Sequence, residues 1–279
     1  MHSNNYTLGF VFIVTIVLGA MLSFTKMNIK DLQEENLQAD VKKNILRSLD
    51  FEEKENEPWS NNQVVERIFK ENIKEFCVNT NGDIVDCVNK DNDIIHISEI
   101  DIEKNIKSLP VYLKIVDKKI EGIAIPIAGK GLWSTIYGYI ALYPDTDRIL
   151  GIQFYKHGET PGLGGEVEKE WFTRNFTNHP IKDSNGKIIK YEDGKINGIP
   201  KKIRNNNGDI IGIDVLKGTV QYSSVSKQVD FLDTNPLAIH QVDGISGATV
   251  TAKGLDSFLK EDLKKYEAYL NKVRDSGTI

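Results

Sequence analysis

Thr249 is the residue best placed to do chemistry in this chain of 279 residues. It lies in the segment Asp243-Gly244-Ile245-Ser246-Gly247-Ala248-Thr249-Val250-Thr251, directly after three small residues and directly before a strongly amphipathic helical pattern. Small residues let a bulky group approach the backbone closely. A helix N-terminus offers an anion its unpaired N–H groups and the positive end of the helix dipole. A hydroxyl at that address can carry or contact a phosphate. A Ser/Thr-capped loop entering a surface helix would read the same way, and Ser-Gly-Ala-Thr arises by chance in about one chain in a hundred. The quartet needs support from the rest of the chain.

Three other segments could take part. His157-Gly158-Glu159-Thr160-Pro161-Gly162-Leu163-Gly164-Gly165 packs four glycines and a proline into nine residues, a tight loop whose backbone N–H groups could face a ligand. It is neither a GxGxxG nor a P-loop pattern. Gly129-Lys130-Gly131-Leu132-Trp133-Ser134 offers an indole that could stack on a ring or simply fill a core. Leu216-Lys217-Gly218 follows an expected strand. His240, Asp243 and Ser246 suggest a hydrolase triad, but triad members come from separate elements and no G-x-S-x-G elbow is present. Glu159 could act as a general base, yet no partner carboxylate is identifiable. No His or further Cys stands at metal-ligand spacing, so no metal site is expected.

The elements that would position these residues give an α+β reading. Tyr6 to Phe24 is nineteen residues without a charge, long enough to cross a bilayer. Nothing basic precedes it and Ala20-Met21-Leu22 is a poor cleavage site, so an uncleaved anchor over residues 1–30 is favoured over a signal peptide. Asp31 to about Leu49 reads as a stalk helix, and Phe51 to Pro58 as a linker. A soluble α+β domain then spans 59–279, with its core at roughly 120–260. Within it Val64–Phe76 reads as a short helix, and Cys77 to Cys87 as a hairpin about Asn81-Gly82. A two-residue loop would pair Cys77 with Asp86 and a three-residue loop would pair it with Cys87, so a disulfide and two free thiols both stay open. Val111–Val116, Gly122–Ile127, Tyr137–Tyr143 and Ile149–Tyr155 read as strands, and Gly165–Phe176 as helical. Asn185-Gly186, Asp193-Gly194, Asn197-Gly198 and Asn207-Gly208 mark short hairpins, with Ile188–Tyr191 and Ile210–Leu216 as strands between them. Leu255, Phe258, Leu259, Leu263, Tyr266, Leu270 and Val273 form one apolar stripe on a final helix.

Charge narrows the partners. Beyond residue 30 the chain holds 33 basic and 40 acidic residues, without a basic patch interleaved with aromatics. Nucleic-acid binding is not expected, nor adhesion of the soluble part to anionic lipid. Lys26 and Lys30 after the anchor weakly favour a cytoplasmic soluble side.

Together these segments resemble the covalent FMN-binding C-subunit family of the Na+-translocating NADH:quinone reductases. The likeness runs through the anchor, Lys43-Asn44-Ile45-Leu46, Gly131-Leu132-Trp133-Ser134 with Tyr137-Gly138-Tyr139, and Glu159-Thr160-Pro161-Gly162-Leu163-Gly164. It continues through Leu216-Lys217-Gly218 and the Asp243–Thr251 segment to Lys272-Val273-Arg274-Asp275. The resemblance implies an anchored α+β domain with an antiparallel sheet and flanking helices, carrying FMN through a phosphoester to Thr249. It implies FMN contacts from Glu159, Thr160, Gly162, Leu163, Gly164, Leu216, Lys217, Gly218, Ser246, Gly247 and Ala248. It also implies a flavinylation signal of Asp243, Ser246, Gly247, Ala248, Thr249 and Thr251, read by a flavin transferase. By the same resemblance the chain works in a six-subunit complex of the bacterial inner membrane. Its anchor sits in lipid, its soluble domain faces the periplasm, and no residue does acid/base chemistry. It would pass electrons between the redox centres of neighbouring subunits during NADH oxidation, ubiquinone reduction and Na+ export. On orientation the resemblance outweighs two lysines. Cys77 and Cys87 acquire no role from it. Two alternatives are the G-subunit of an Rnf-type electron-transport complex, which shares the flavinylated motif but is shorter, and an anchored module that holds a phosphorylated ligand non-covalently.

Overall fold

The computed structural model describes residues 4–88, 91, 93–95, 107–177, 179–180, 198–220 and 236–276. The turns expected at Asn185-Gly186 and Asp193-Gly194, the strand at Ile188–Tyr191, and Asn197 lie outside them. The chain divides into two units, residues 1–41 and 42–279.

The first unit belongs to helix α1 (Asn4–Ser48). Its stretch Asn4–Lys30 is long and apolar enough to cross a membrane. Thr15 and Thr25 donate their hydroxyls to the carbonyls of Val11 and Met21, so these polar groups are satisfied within the helix itself. The stalk stripe is exposed at Leu32 and Leu37.

The second unit is built on a six-stranded antiparallel sheet of β1 (Ile73–Val78), β2 (Ile84–Val85), β3 (Leu109–Val116), β4 (Lys119–Lys130), β5 (Thr135–Leu142) and β6 (Ile149–Lys156), in the order β2-β1-β3-β4-β5-β6. Alternation along the strands gives each face its own core. Ile123, Ile125, Ile127, Ile136, Ile140, Ile152 and Phe154 lie in the main cluster with residues of α3 (Glu170–Thr177), α4 (Thr249–Lys265) and α5 (Glu267–Ser276). The opposite face carries Tyr112, Tyr139 and Tyr155, and Phe69 of α2 (Asn62–Asn72) meets Tyr112 edge-on. Glycines on that face seat the end of α1. A Cβ on Gly151 would lie 2.0 Å from the Ser48 carbonyl oxygen, and one on Gly122 would lie 2.9 Å from Leu49. Ile45, Leu46 and Leu49 are fully buried there, and Lys114 donates to the Leu49 carbonyl.

Four local expectations change. The helix expected to reach Phe76 stops at Asn72, and Ile73–Val78 is strand β1. Pairing with β3, Phe76 opposite Val111, overrides the local helical pattern. The helix expected at Gly165–Phe176 splits into a 3-10 turn, Gly164–Glu168, and α3, because Lys169 between them is extended. Of Ile210–Leu216 only β9 (Asp214–Val215) is strand, paired in parallel with β10 (Gln241–Val242). Gly212, at φ +81°, turns the chain where a strand would have run. The final stripe belongs to α4 and α5 rather than to one helix, and all seven stripe residues are buried. Two further short strands, β7 (His179–Pro180) and β8 (Gly198–Ile199), pair antiparallel.

The hairpin settles the cysteines in a register that neither loop count anticipated. Asn79 and Asp83 flank a three-residue turn, Cys77 stands opposite Val85, and Cys87 lies two residues further along on the same face. The disulfide Cys77–Cys87 spans this diagonal with a Cα–Cα distance of 5.2 Å. Gly82, at φ +76°, lets the turn rest on the backbone of Ala268 and Tyr269 in α5. Closing a loop of ten residues' separation restricts the unfolded chain by about 2–3 kcal/mol. The double variant Cys77→Ser/Cys87→Ser is therefore expected to lose that much unfolding free energy in urea titration, with the native circular dichroism retained.

Candidate functional site

Three segments distant in sequence meet at the first turn of α4. Glu159, 5% exposed, is the knot that joins them. Its Oε1 accepts the backbone N–H groups of Trp133 at 2.9 Å and Ser134 at 3.1 Å. Its Oε2 accepts the N–H of Leu132 at 3.2 Å and the hydroxyl of Thr251 at 2.8 Å. Burial disfavours its charge, but these donors outweigh it and hold its pKa below the usual carboxylate value. An ionised carboxylate thus ties the 131–134 turn and the 159–165 loop to the helix that starts at Thr249. The loop is closed further by Thr160, whose carbonyl accepts the N–H groups of Leu163 at 3.1 Å and Gly165 at 3.0 Å. Ser134 Oγ accepts the Gly158 N–H at 2.6 Å.

Glycine is required at 164 by proximity. A Cβ there would stand 2.6 Å from Thr251 Oγ1 and 2.7 Å from Glu159 Oε2. Gly164→Ala should displace the Thr251–Glu159 bond and cost about 1–3 kcal/mol, readable in chemical denaturation as a lower midpoint with an unchanged slope. Gly247, at φ +74°, lies against Leu163, and a Cβ on it would be 2.8 Å from Leu163 Cδ2.

Thr249 is half-buried and is the first residue of α4. Ala248 occupies the N-cap position and makes no side-chain cap. A helix start without a side-chain acceptor leaves its leading N–H groups available to an anion. Ser246 and Gly247 are exposed, Ala248 is buried, and Thr251 is buried beneath them. Around this point Leu132 (44%), Trp133 (70%), Leu163 (43%) and Val250 (54%) expose apolar surface on the three joined segments. α4 is held in place by close approach. A Cβ on Gly129 would lie 2.1 Å from Phe258 and one on Gly254 would lie 2.2 Å from the Lys130 carbonyl oxygen. Asp262 accepts the Ala128 N–H at 2.7 Å.

Leu216-Lys217-Gly218 joins the same motif from its other side. Leu216 N–H donates to Val242, Gly218 accepts the Gly244 N–H at 2.8 Å, and Gly244 lies so close to Leu216 that no Cβ would fit. Leu216 packs on Val220 and Ala238, while Lys217 and Gly218 are exposed. Asp243 turns its carboxylate to the Val220 N–H at 2.7 Å. His240 Nδ1 is 2.7 Å from the Lys202 carbonyl oxygen and Ser246 is exposed, so the triad set aside on sequence grounds is not assembled.

The 159–165 loop, the Leu216–Gly218 segment and the Asp243–Thr251 segment singled out in the sequence thus all border the start of α4. Sequence reasoning missed that Glu159 binds protein donors, and that Lys201 is buried with its ammonium on the Ala238 carbonyl. Thr251, two residues past Thr249, was the available signal for the first. Lys201, one of two adjacent lysines after a proline, carries no pattern that reveals its burial. Among the described residues no group of three or more metal-ligating side chains occurs.

Residues 131–264, which run from the turn before β5 through the helix that opens on Ser-Gly-Ala-Thr, match the model of the FMN-binding domain family. The particular likeness is to the C-subunits of the Na(+)-translocating NADH-quinone reductases. This chain is 29% identical to the Pseudomonas aeruginosa protein of that name over 291 aligned positions, covering 98% of this chain and 97% of the other. With its Chlamydia trachomatis counterpart it shares 33% identity over 151 positions, 54% of this chain and 41% of that one. The crystal structure of the Parabacteroides distasonis counterpart superposes with a TM-score of 0.58 at 27% identity, covering 87% of this chain and 96% of that one. The resemblance first carried by separate motifs thus holds along the whole chain, with its mixed α+β fold and antiparallel sheet.

Proposed function

We propose that this chain is the flavin-bearing C-subunit of a Na+-translocating NADH:quinone reductase, with FMN joined through its phosphate to Thr249 Oγ1. The observation that carries the reading is the position of Thr249. It is a half-exposed hydroxyl on the first residue of a helix without a side-chain cap, among exposed Leu132, Trp133 and Leu163. The residues suit the group. The start of α4 would stabilise the remaining negative charge of a phosphodiester on Thr249 by about 0.3–1 kcal/mol. Leu163 and Trp133 offer apolar surface to a ring system, and the glycines of 162–165 and 247 let it approach the backbone. Bound there, FMN would supply the electron transfer. Glu159 keeps the three segments in register, and the carboxylate is already engaged by four protein donors, so it is not available as a general base.

A threonine hydroxyl is a weak nucleophile, so attachment calls for a flavin transferase presenting FMN as an activated phosphoanhydride. The Thr249 oxygen–phosphorus bond forms, the anhydride bond breaks, and the hydroxyl proton passes to a base on the transferase. The Cys77–Cys87 disulfide supports a periplasmic soluble domain, since such bonds persist in oxidising compartments. The apolar helix over Asn4–Lys30 would hold it to the inner membrane within a six-subunit complex. Likeness over 98% of the chain favours this complex over an Rnf-type one. The chain, co-expressed with a flavin transferase, is expected to give a fluorescent band on a denaturing gel and a mass increased by one FMN ester. A dark band of unmodified mass would sink the covalent reading and leave the non-covalent module.

A further inference from the structure

Lys201 is the buried charge that the proposed function does not use. Its side chain is 1% exposed, and Nζ donates to the Ala238 carbonyl at 2.8 Å. Its backbone is fixed to the core at both ends: its N–H donates to Phe176 of α3, and its carbonyl accepts the Ile149 N–H at the start of β6. The backbone is thus a fixed post, and the ammonium reaches from it to the 3-10 turn Pro236–His240, which leads through β10 into Asp243. Asp243 acts on Lys201 electrostatically from the first position of the attachment motif. Its carboxylate also holds the Val220 N–H, and Val220 packs on Ala238, so the lysine and the aspartate grip the two halves of one small cluster.

We propose that Lys201 is a positioning residue: its buried ammonium, bonded to the Ala238 carbonyl, struts the turn that leads into the Asp243–Ala248 segment against the sheet and so fixes the direction in which a group on Thr249 points. The inference rests on the proposed flavin attachment. Burial pushes the Lys201 ammonium down to about 7, with Asp243 opposing the shift. An uncompensated lysine would be expelled from such a place. Retaining it costs stability that an apolar side chain of the same length would not.

The test is Lys201→Met in the full chain, co-expressed with a flavin transferase, with Arg204→Met as a control. Arg204 is a second buried cation, bound to the carbonyls of Thr146 and Gly208. In Lys201→Met the flavin is expected to attach as before, but with lower fluorescence anisotropy and weaker visible circular dichroism. Amides of residues 243–248 should exchange about tenfold faster. Arg204→Met should leave the flavin signals at wild-type values whatever its effect on melting. Wild-type anisotropy and exchange in Lys201→Met would overturn the proposal, and so would an equal loss in Arg204→Met. If Lys201→Met does not fold, Lys201→Gln, which keeps a donor for Ala238 without the charge, is read in the same way. If the wild type itself takes no flavin, the functional reading has failed. The strut is then judged on amide exchange of the apo-protein alone.

Discussion

Thr249→Ala should leave a folded protein that retains no flavin through denaturation. The hydroxyl is the single atom the attachment requires, so loss of in-gel fluorescence and of the added mass should be complete. Stability should move by less than about 1 kcal/mol, because the side chain is half-buried at a helix start and alanine suits a helix at least as well. Thr251, two residues on, cannot substitute. It is 1% exposed and its hydroxyl is given to Glu159. Fluorescence that persists in Thr249→Ala would place the attachment elsewhere and remove the basis of the functional reading.

Glu159→Ala should have the largest effect on the fold of the site. It removes the acceptor of three backbone N–H groups and one hydroxyl at once. Hydrogen bonds to a charged group are the stronger kind, and Thr251 would be left buried without a partner. A loss of about 2–4 kcal/mol in unfolding free energy follows. Trp133, exposed on the turn that Glu159 holds, should report a loosened environment in its emission. Glu159→Gln removes the charge and one acceptor together, since its amide would set donors against the donors of the turn.

The pH dependence has a definite sign. The folded-state pKa of Glu159 lies below its unfolded value, so its contribution is complete above that unfolded value. It is lost as pH falls through the lower folded value. Acid titration of the wild type should show this loss, and Glu159→Gln should lack it. An unchanged acid slope in Glu159→Gln would mean that the carboxylate is not the knot described.

Much of this was legible in the sequence, for physical reasons that differ by element. The four long strands are short apolar runs bounded by turn residues, and the stripe from Leu255 to Val273 has a period set by burial on one face; both lie where the pattern places them. The hairpin register was not legible, because pairing Cys77 with Val85 depends on a turn flanked by Asn79 and Asp83 rather than on a count of loop residues. The first part of β1, Ile73–Phe76, was mistaken for helix because it gains its preference from a neighbour, β3, more than thirty residues away in sequence. At the site, the small-residue run and the glycine loop advertised themselves by composition, whereas Leu216-Lys217-Gly218 is unremarkable by itself and entered only through the family resemblance. Glu159 was singled out as a possible general base by its type and as an FMN contact by the resemblance, while its tie to four protein donors had no sequence signature. Lys201 gave no sign at all, since burial of a lysine is a property of the assembled core.

The seat of α1 on Gly122 and Gly151 bears on how this protein could ever be freed from its anchor. Ile45, Leu46, Ser48 and Leu49 are core residues of the folded unit, although they belong to the same helix as the apolar stretch or directly follow it. A protease cut in the Phe51–Pro58 segment, the place a linker would invite, would strip these buried side chains, and buried Asn44 with them, from the folded unit and release a damaged body. A cut before Lys42 would release one with its core whole. The safe boundary is therefore a position within a helix, and shedding an intact soluble form requires that helix to be opened first.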